Sequence, residues 1–536
     1  MNIINRRSFL TQTSTLGMGA ALASLVDIPL VMKRALAEGT IGQPGPNGRV
    51  KKLFFIFLRG ANDGLNTVVP LGDTAYNATN RKSILIESDP GNPFTAKGRA
   101  LFPESGPTKA TFDYNYGLSL GNGFAGLHPA LKFLSPIYNA GDLAVIHRVG
   151  YPRQSRSHFD SQNYWENGAP NNNQTHDGLL YRAMIESGLA NKLPLTAVSI
   201  GSSLPLILRG SKAAMTNLND PTRYNLLAVP NTAAGNAKAD AALAAANAAR
   251  FADKRDRELL TLQYQNLSST LDIFAHLDFS EAGNTFVDDV STDGDQPYYL
   301  FPTTNDKNGG YSRAKDAAKY VVPTSAYGHF QNLKSAAMVL NKTSALVAGV
   351  SIDGWDTHSK QGGATGSQAN LLRRVGWSMY ALQKYFKKYA DQCRWEDLVV
   401  VTLSEFGRTS IENSDGGTDH AEASAMLVAG GGIKGFQADV LGGVKRTGVF
   451  NCGGDADPIP WQVGPTGAMF QAQSRYLKRN TDYRSVLGKL IRDHLGATPS
   501  QLERIIPGYA NPKESLATRG IQTADKTEVI GEPDLI

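Results

Sequence analysis

The chain has 536 residues, 41% hydrophobic and 19% charged, with 54 basic against 48 acidic side chains and a formal net charge of +6. That composition suits one large, loop-rich globular body and excludes a disordered chain. Three of the six net charges fall within residues 1–37, and what remains is too weak and diffuse for a nucleic-acid partner.

In chain order the first element is an address. Arg6-Arg7-Ser8-Phe9-Leu10 is followed by a moderately apolar stretch to about Met32 and by Lys33, Arg34 and Ala35-Leu36-Ala37. An arginine pair, an apolar run and an A-x-A site read as a cleaved twin-arginine export signal over 1–37. The Tat translocase is then a partner during export, and the destination is periplasmic or secreted. The run is rich in Gly, Ala, Ser and Thr and carries Asp27, so it makes a poor permanent span; no other stretch is apolar for long enough to cross a bilayer.

Residues 38–536 read as a single domain. Short continuous apolar runs at Leu53–Leu58, Leu143–Val149, Ala345–Ile352 and Leu398–Leu403, with a weaker one at Met426–Ala429, have the character of strands buried on both faces. From about Gln368 to Gln392 the apolar residues Leu371, Leu372, Val375, Met379, Leu382 and Phe386 recur at helical spacing. A second helix runs from Ala130 to Asn139. Strand, helix, strand repeats predict an α/β fold: a mostly parallel central sheet with helices on both faces. The stretch at about 205–320, with an Ala-rich helix near 241–276, breaks the rhythm and reads as an inserted helical and loop cap. Tyr483–Leu495 reads as a closing helix, and the tail after Gly508 as loosely held. Cys393 and Cys452 could pair in an oxidising compartment or stay unpaired in the core.

Ligands of open parallel sheets bind beyond the carboxyl ends of the strands. There the polar residues collect: Arg59, Asn62 and Asp63; Arg156, Ser157, His158 and Asp160; Asp353, Asp356 and His358; Glu405 and Arg408; Asp419 and His420. Carboxylates and imidazoles converging from several loops suit a divalent ion such as Zn, Mn, Ca or Mg, one or two of them. Each piece also has a plain structural reading. Asp63-Gly64 is a common turn, Ser157 could cap a helix opening at His158, and Arg59 and Arg408 could be ordinary ion-pair partners. His128, His147, His276, His329 and His494 lack acidic company and are assigned to structure.

Taken together, Leu58-Arg59-Gly60-Ala61-Asn62-Asp63-Gly64-Leu65, Arg156-Ser157-His158-Phe159-Asp160, Trp355-Asp356-Thr357-His358, Ser404-Glu405-Phe406-Gly407-Arg408-Thr409 and Gly417-Thr418-Asp419-His420 resemble domain-of-unknown-function family 1501. That family is similar in fold to the alkaline phosphatase and sulfatase superfamily. The resemblance implies an alkaline-phosphatase-like sheet with a metal site at its carboxyl edge. It sets Asp63, Asp353 or Asp356, His358, Glu405, Asp419 and His420 as candidate ligands and Ser157 as the nucleophile, with Ser155 and Ser161 as alternatives. Arg59 and Arg156 would neutralise developing charge. One departure stands out: Ser404-Glu405 replaces the superfamily's Asp-His pair. A formylglycine motif matches only at Ser515–Arg519, in the tail, which disfavours that sulfatase mechanism.

The expected function is an exported metal-dependent hydrolase of phosphate or sulfate esters, acting on a small-molecule or polymeric anionic ester. The alternative is a non-catalytic exported binding protein that retains the fold.

Overall fold

A computed structural model describes residues 40–91, 114–213, 215–218, 322–437, 446–453, 459–510 and 531–536, apart from positions 46, 191, 192 and 194, together with short pieces between 237 and 302 and the pairs 521–522 and 528–529. The export signal, most of the 241–276 helix and of the expected insertion, and the Ser515–Arg519 match lie outside the described residues. Among the described residues no helix is long and apolar enough to cross a membrane.

Nine strands form the main sheet: β1 (Lys52–Leu58), β2 (Leu143–Gly150), β3 (Ala197–Ile200), β4 (Thr216–Leu218), β5 (Val347–Ile352), β6 (Leu398–Leu403), β7 (Ser424–Ala429), β8 (Val449–Phe450) and β9 (Thr481–Asp482). Their order is β8-β2-β7-β6-β1-β5-β3-β4, with β9 also on β2. Every neighbouring pair is parallel except those of β7, which runs against both β6 and β2. The reason is local. No crossover helix separates β6 from β7, so the chain turns back as a long-looped hairpin, and directly joined neighbours must run antiparallel.

The apolar runs become strands because both faces of the sheet are covered. Along β1, Phe54, Ile56 and Leu58 enter one core while Leu53, Phe55 and Phe57 enter the other. Helices α4 (Tyr327–Lys342) and α5 (Ser367–Lys388) cover the first face; α3 (Leu179–Glu186), α6 (Tyr483–Lys489) and α7 (Pro499–Ile505) cover the second. Each fully buried Phe or Leu contributes about 1.5–3 kcal/mol of apolar transfer. The mixed α/β architecture expected from the sequence is therefore present, with a mostly parallel central sheet.

One detail differs from expectation, and one open alternative is decided. The tail's end is held: Leu535 is fully buried and Arg492 forms a bidentate pair with Glu532 at 2.6 and 2.7 Å. Cys393 and Cys452 are both buried free thiols.

Two short helices complete the frame: α1 (Gly64–Thr67) directly after β1, and α2 (His158–Asn167) in the segment after β2. Because β1, β2, β5 and β6 run in one direction, the loops that follow them share one edge, and the start of β7 joins them there.

Candidate metal centre

The site is assembled from four loops by a buried cation. Arg408, with a fully buried side chain, donates to the carbonyls of Ala61, Gly60, Thr418 and Trp355 and to Asp356 Oδ1 at 2.5 Å. One guanidinium thus pins the segments after β1 and β5 to both arms of the β6–β7 loop, using its planar fork of donors. Arg408 and His420 also face each other as a bridge within that loop. Two glycines permit the closeness: a Cβ on Gly60 (φ +110°) would sit 2.6 Å from the Asp356 amide, and one on Gly417 would sit 2.4 Å from the His358 carbonyl carbon.

Three imidazoles come together around Asp356. His158 Nδ1 donates to Glu405 Oε2 at 2.5 Å, His358 Nδ1 to Asp419 Oδ1 at 3.0 Å and His420 Nδ1 to the Arg156 carbonyl at 2.8 Å. Each of those partners accepts, so each Nδ1 carries a proton, and a ring that holds no second proton presents a bare Nε2 to a cation. The Nε2 atoms of His158, His358 and His420 lie 3.5, 3.1 and 3.3 Å from an Asp356 oxygen, and those of His358 and His420 are 2.9 Å apart. His158 Nε2 is buried without a hydrogen-bond partner. The rings pack tilted or edge-on against one another, and His158 and His420 also against Phe406, with centroids 4.5–4.9 Å apart.

The electrostatics keep these groups in ligand form. Burial opposes the charge of Asp356, yet Arg408, with His358 and His158 beside it, holds the carboxyl below its ordinary value. Burial, then Arg408 and His158, lowers His420 below the usual imidazole value, so that ring stays neutral at neutral pH. The Asn413 amide, against partial burial, and His358 keep Asp419 ionised.

His158, Asp356 and His420 each offer one ligand atom, all within 4.8 Å of one another. A tetrahedral zinc with bonds of about 2.0–2.1 Å spaces its ligand atoms about 3.3 Å apart. The contacts with Asp356, at 3.1–3.5 Å, fall on that spacing. Imidazoles anchored from behind by a carboxylate or a carbonyl are the usual support of a metal-ligating histidine. The residues therefore fit a divalent ion held by His158, Asp356 and His420, with His358 alongside.

The other expected residues take different places. Glu405 is fully buried one bond behind the cluster; besides His158 it accepts from Gly60 N at 2.7 Å and Gln162 Nε2 at 2.8 Å. Asp419 likewise sits behind His358. Asp353 is exposed and stands outside the ligand group. Asp63 is sealed away: it caps α1 and takes Arg81 at 2.8 Å and Gln361 at 2.7 Å. Arg59 is tied to Glu166 at 2.9 Å and to Gln162, while the Arg156 side chain reaches Gln473 and lies over Tyr476. Ser157 caps α2 and is partly exposed, whereas Ser161 is buried against Tyr151. Ser155 shares the turn, accepting from Ser157 N.

His158 was not among the expected ligands. Its signal was present, a histidine two residues before an aspartate after a strand, but it read as the opening of a helix. Arg408, set down as an ordinary ion-pair partner, and Arg81, in a loop with no motif, were missed because local spacing does not fix their partners: Arg81 meets Asp63 18 positions away and Thr409 328 away, and Arg408 meets Asp356 52 away and Ala61 347 away.

No curated protein and no solved structure matches the chain. Residues 308–447, which carry Asp356, His358, Glu405, Arg408, Asp419 and His420, match the model of the family described as "Protein of unknown function (DUF1501)", and this supports the family resemblance drawn from the sequence.

Proposed function

We propose that this protein is an exported metal-dependent hydrolase of phosphate or sulfate esters, alkaline-phosphatase-like in fold, with its site at the carboxyl edge of the sheet. One observation carries the reading: three imidazoles, each with its Nδ1 proton committed, turn their free Nε2 atoms onto one carboxylate. Nitrogen-rich ligation favours zinc over calcium or magnesium. A divalent ion held there supplies a Lewis acid that polarises an ester oxygen and favours deprotonation of a nearby hydroxyl.

The chain's own groups do the rest. Ser157 stands at the start of α2, between the residue whose carbonyl anchors His420 and the ligand His158. Its hydroxyl attacks phosphorus or sulfur, the bond to the ester oxygen breaks, the departing alcohol takes up the hydroxyl's proton, and water then cleaves the seryl ester to release the anion; the partial positive charge at the helix N-terminus favours the anionic group under attack. Arg408 holds Asp356 charged and in place. Twin-arginine export fits this chemistry, because metal loading can be completed before translocation.

A non-catalytic binding protein is the second reading, favoured by the capping bond that already engages Ser157 Oγ with Asp160 N. The test is turnover of p-nitrophenyl phosphate and p-nitrophenyl sulfate together with metal content. The wild type is expected to hold zinc and turn over one ester. His158→Ala and His420→Ala should lose both properties, and Ser157→Ala should keep zinc and lose turnover. Zinc-loaded wild type inactive on both esters would favour the binding reading.

A further inference from the structure

A second feature lies on the same helix as the cluster. Asn163, Asn167, Asn173, Thr175, His176 and Arg209 line a pocket of about 340 Å³, within the ~300–1,000 Å³ range of small-molecule sites. Its walls are braced. Asn167 Nδ2 donates to the carbonyls of Asn172 and Thr175, at 3.1 and 3.2 Å. Gly178 N donates to the Arg209 carbonyl at 2.8 Å, and Ile207 N to Glu166 Oε2 at 2.9 Å. The same Glu166 pairs with Arg59 at the end of β1, so pocket and cluster share a frame.

The braced walls leave four of the lining side chains unspent. Among the described residues, no hydrogen bond or ion pair engages the side chains of Asn163, Thr175, His176 or Arg209. Phe159, 85% exposed, is one turn before Asn163 on the stripe that continues to Asn167. It therefore stands on the pocket's side of α2, next in sequence to the ligand His158. Among the described residues it is the most exposed large apolar side chain.

We infer that this pocket is a subsite for a saccharide bearing an anionic substituent. Amides and a hydroxyl supply donor and acceptor together, which vicinal hydroxyl groups require. A flat exposed ring suits the apolar face of a pyranose. Arg209 and His176 suit a sulfate, phosphate or carboxylate substituent, the guanidinium through paired donors. In calling the pocket a substrate subsite the inference rests on the hydrolytic reading; the binding itself does not.

Calorimetry on the full chain stripped of metal tests it, with a chondroitin sulfate tetrasaccharide, maltotetraose and sodium sulfate as separate titrants. The sulfated tetrasaccharide should bind at least tenfold more tightly than either of the others. Asn163→Ala and Arg209→Ala should each weaken it tenfold or more and Phe159→Ala several-fold, all without changing turnover of the small chromogenic ester. No binding, sodium sulfate matching the tetrasaccharide, maltotetraose binding equally well, or variants binding like wild type would each overturn the subsite. Because binding is read without metal, tetrasaccharide binding that persists while the zinc-reloaded protein releases no sulfate would count against the hydrolase and leave the subsite standing.

Discussion

Two aspartates close to strand ends at one edge of the sheet, Asp63 after β1 and Asp356 after β5, meet opposite fates. Asp63 has no exposed surface; it faces a fully buried Arg81, which also donates to the carbonyls of Thr409 and Ser410. Asp356 keeps 45% of its side chain exposed and shares its oxygens among Arg408 and three imidazoles. One pair is a closed structural joint, the other an open ligand. Neither residue type nor strand-end position decides the role. The neighbours do: Asp63 is met by donors that saturate it, Asp356 by one donor, Arg408, and by three imidazole Nε2 atoms that suit a cation.

The largest effect should come from breaking the closed pair. Arg81→Ala leaves a buried uncompensated carboxylate and should cost about 3–5 kcal/mol in denaturant unfolding. Asp356→Asn should cost about 1 kcal/mol or less, since its surroundings are wet and Arg408 keeps its carbonyl partners. Equal losses at the two sites would erase the distinction.

A smaller effect follows from acid. Burial lowers His128 to about 4, His147 to about 3 and His494 to about 4. Their folded values lie below the unfolded 6.5, so the folded state binds fewer protons in that window. Their stabilising contribution is complete above pH 6.5 and is lost as pH falls through 4 toward 3, on the order of 3 kcal/mol for each group. A melting temperature flat from pH 7 to 4 would contradict this. Zinc at the cluster should steepen the fall, because His158 and His420 must be unprotonated at Nε2 to hold it.

Much of this frame is legible in sequence. The run Leu398–Leu403 is a strand over that same span, and the helix expected from Gln368 runs Ser367–Lys388, because strands buried on both faces and long amphipathic helices leave local patterns. The loops that carry chemistry also follow from strand polarity. What local pattern does not carry is which side chain faces which. Glu405 and His158 are 247 positions apart, and only the pairing of β2 and β6 through β7 brings the carboxylate behind the ring. The reversal of β7 escaped for a similar reason: an apolar strand reads alike in either direction.

The central claim is that His158, Asp356 and His420 hold one cation, and X-ray absorption at the zinc edge of the zinc-loaded protein tests it most directly. A first shell with at least two imidazole nitrogens and a carboxylate oxygen at about 2.0–2.1 Å is predicted, with the imidazole signature reduced in His420→Ala. A shell of water oxygens alone, or one unchanged by that substitution, would contradict it.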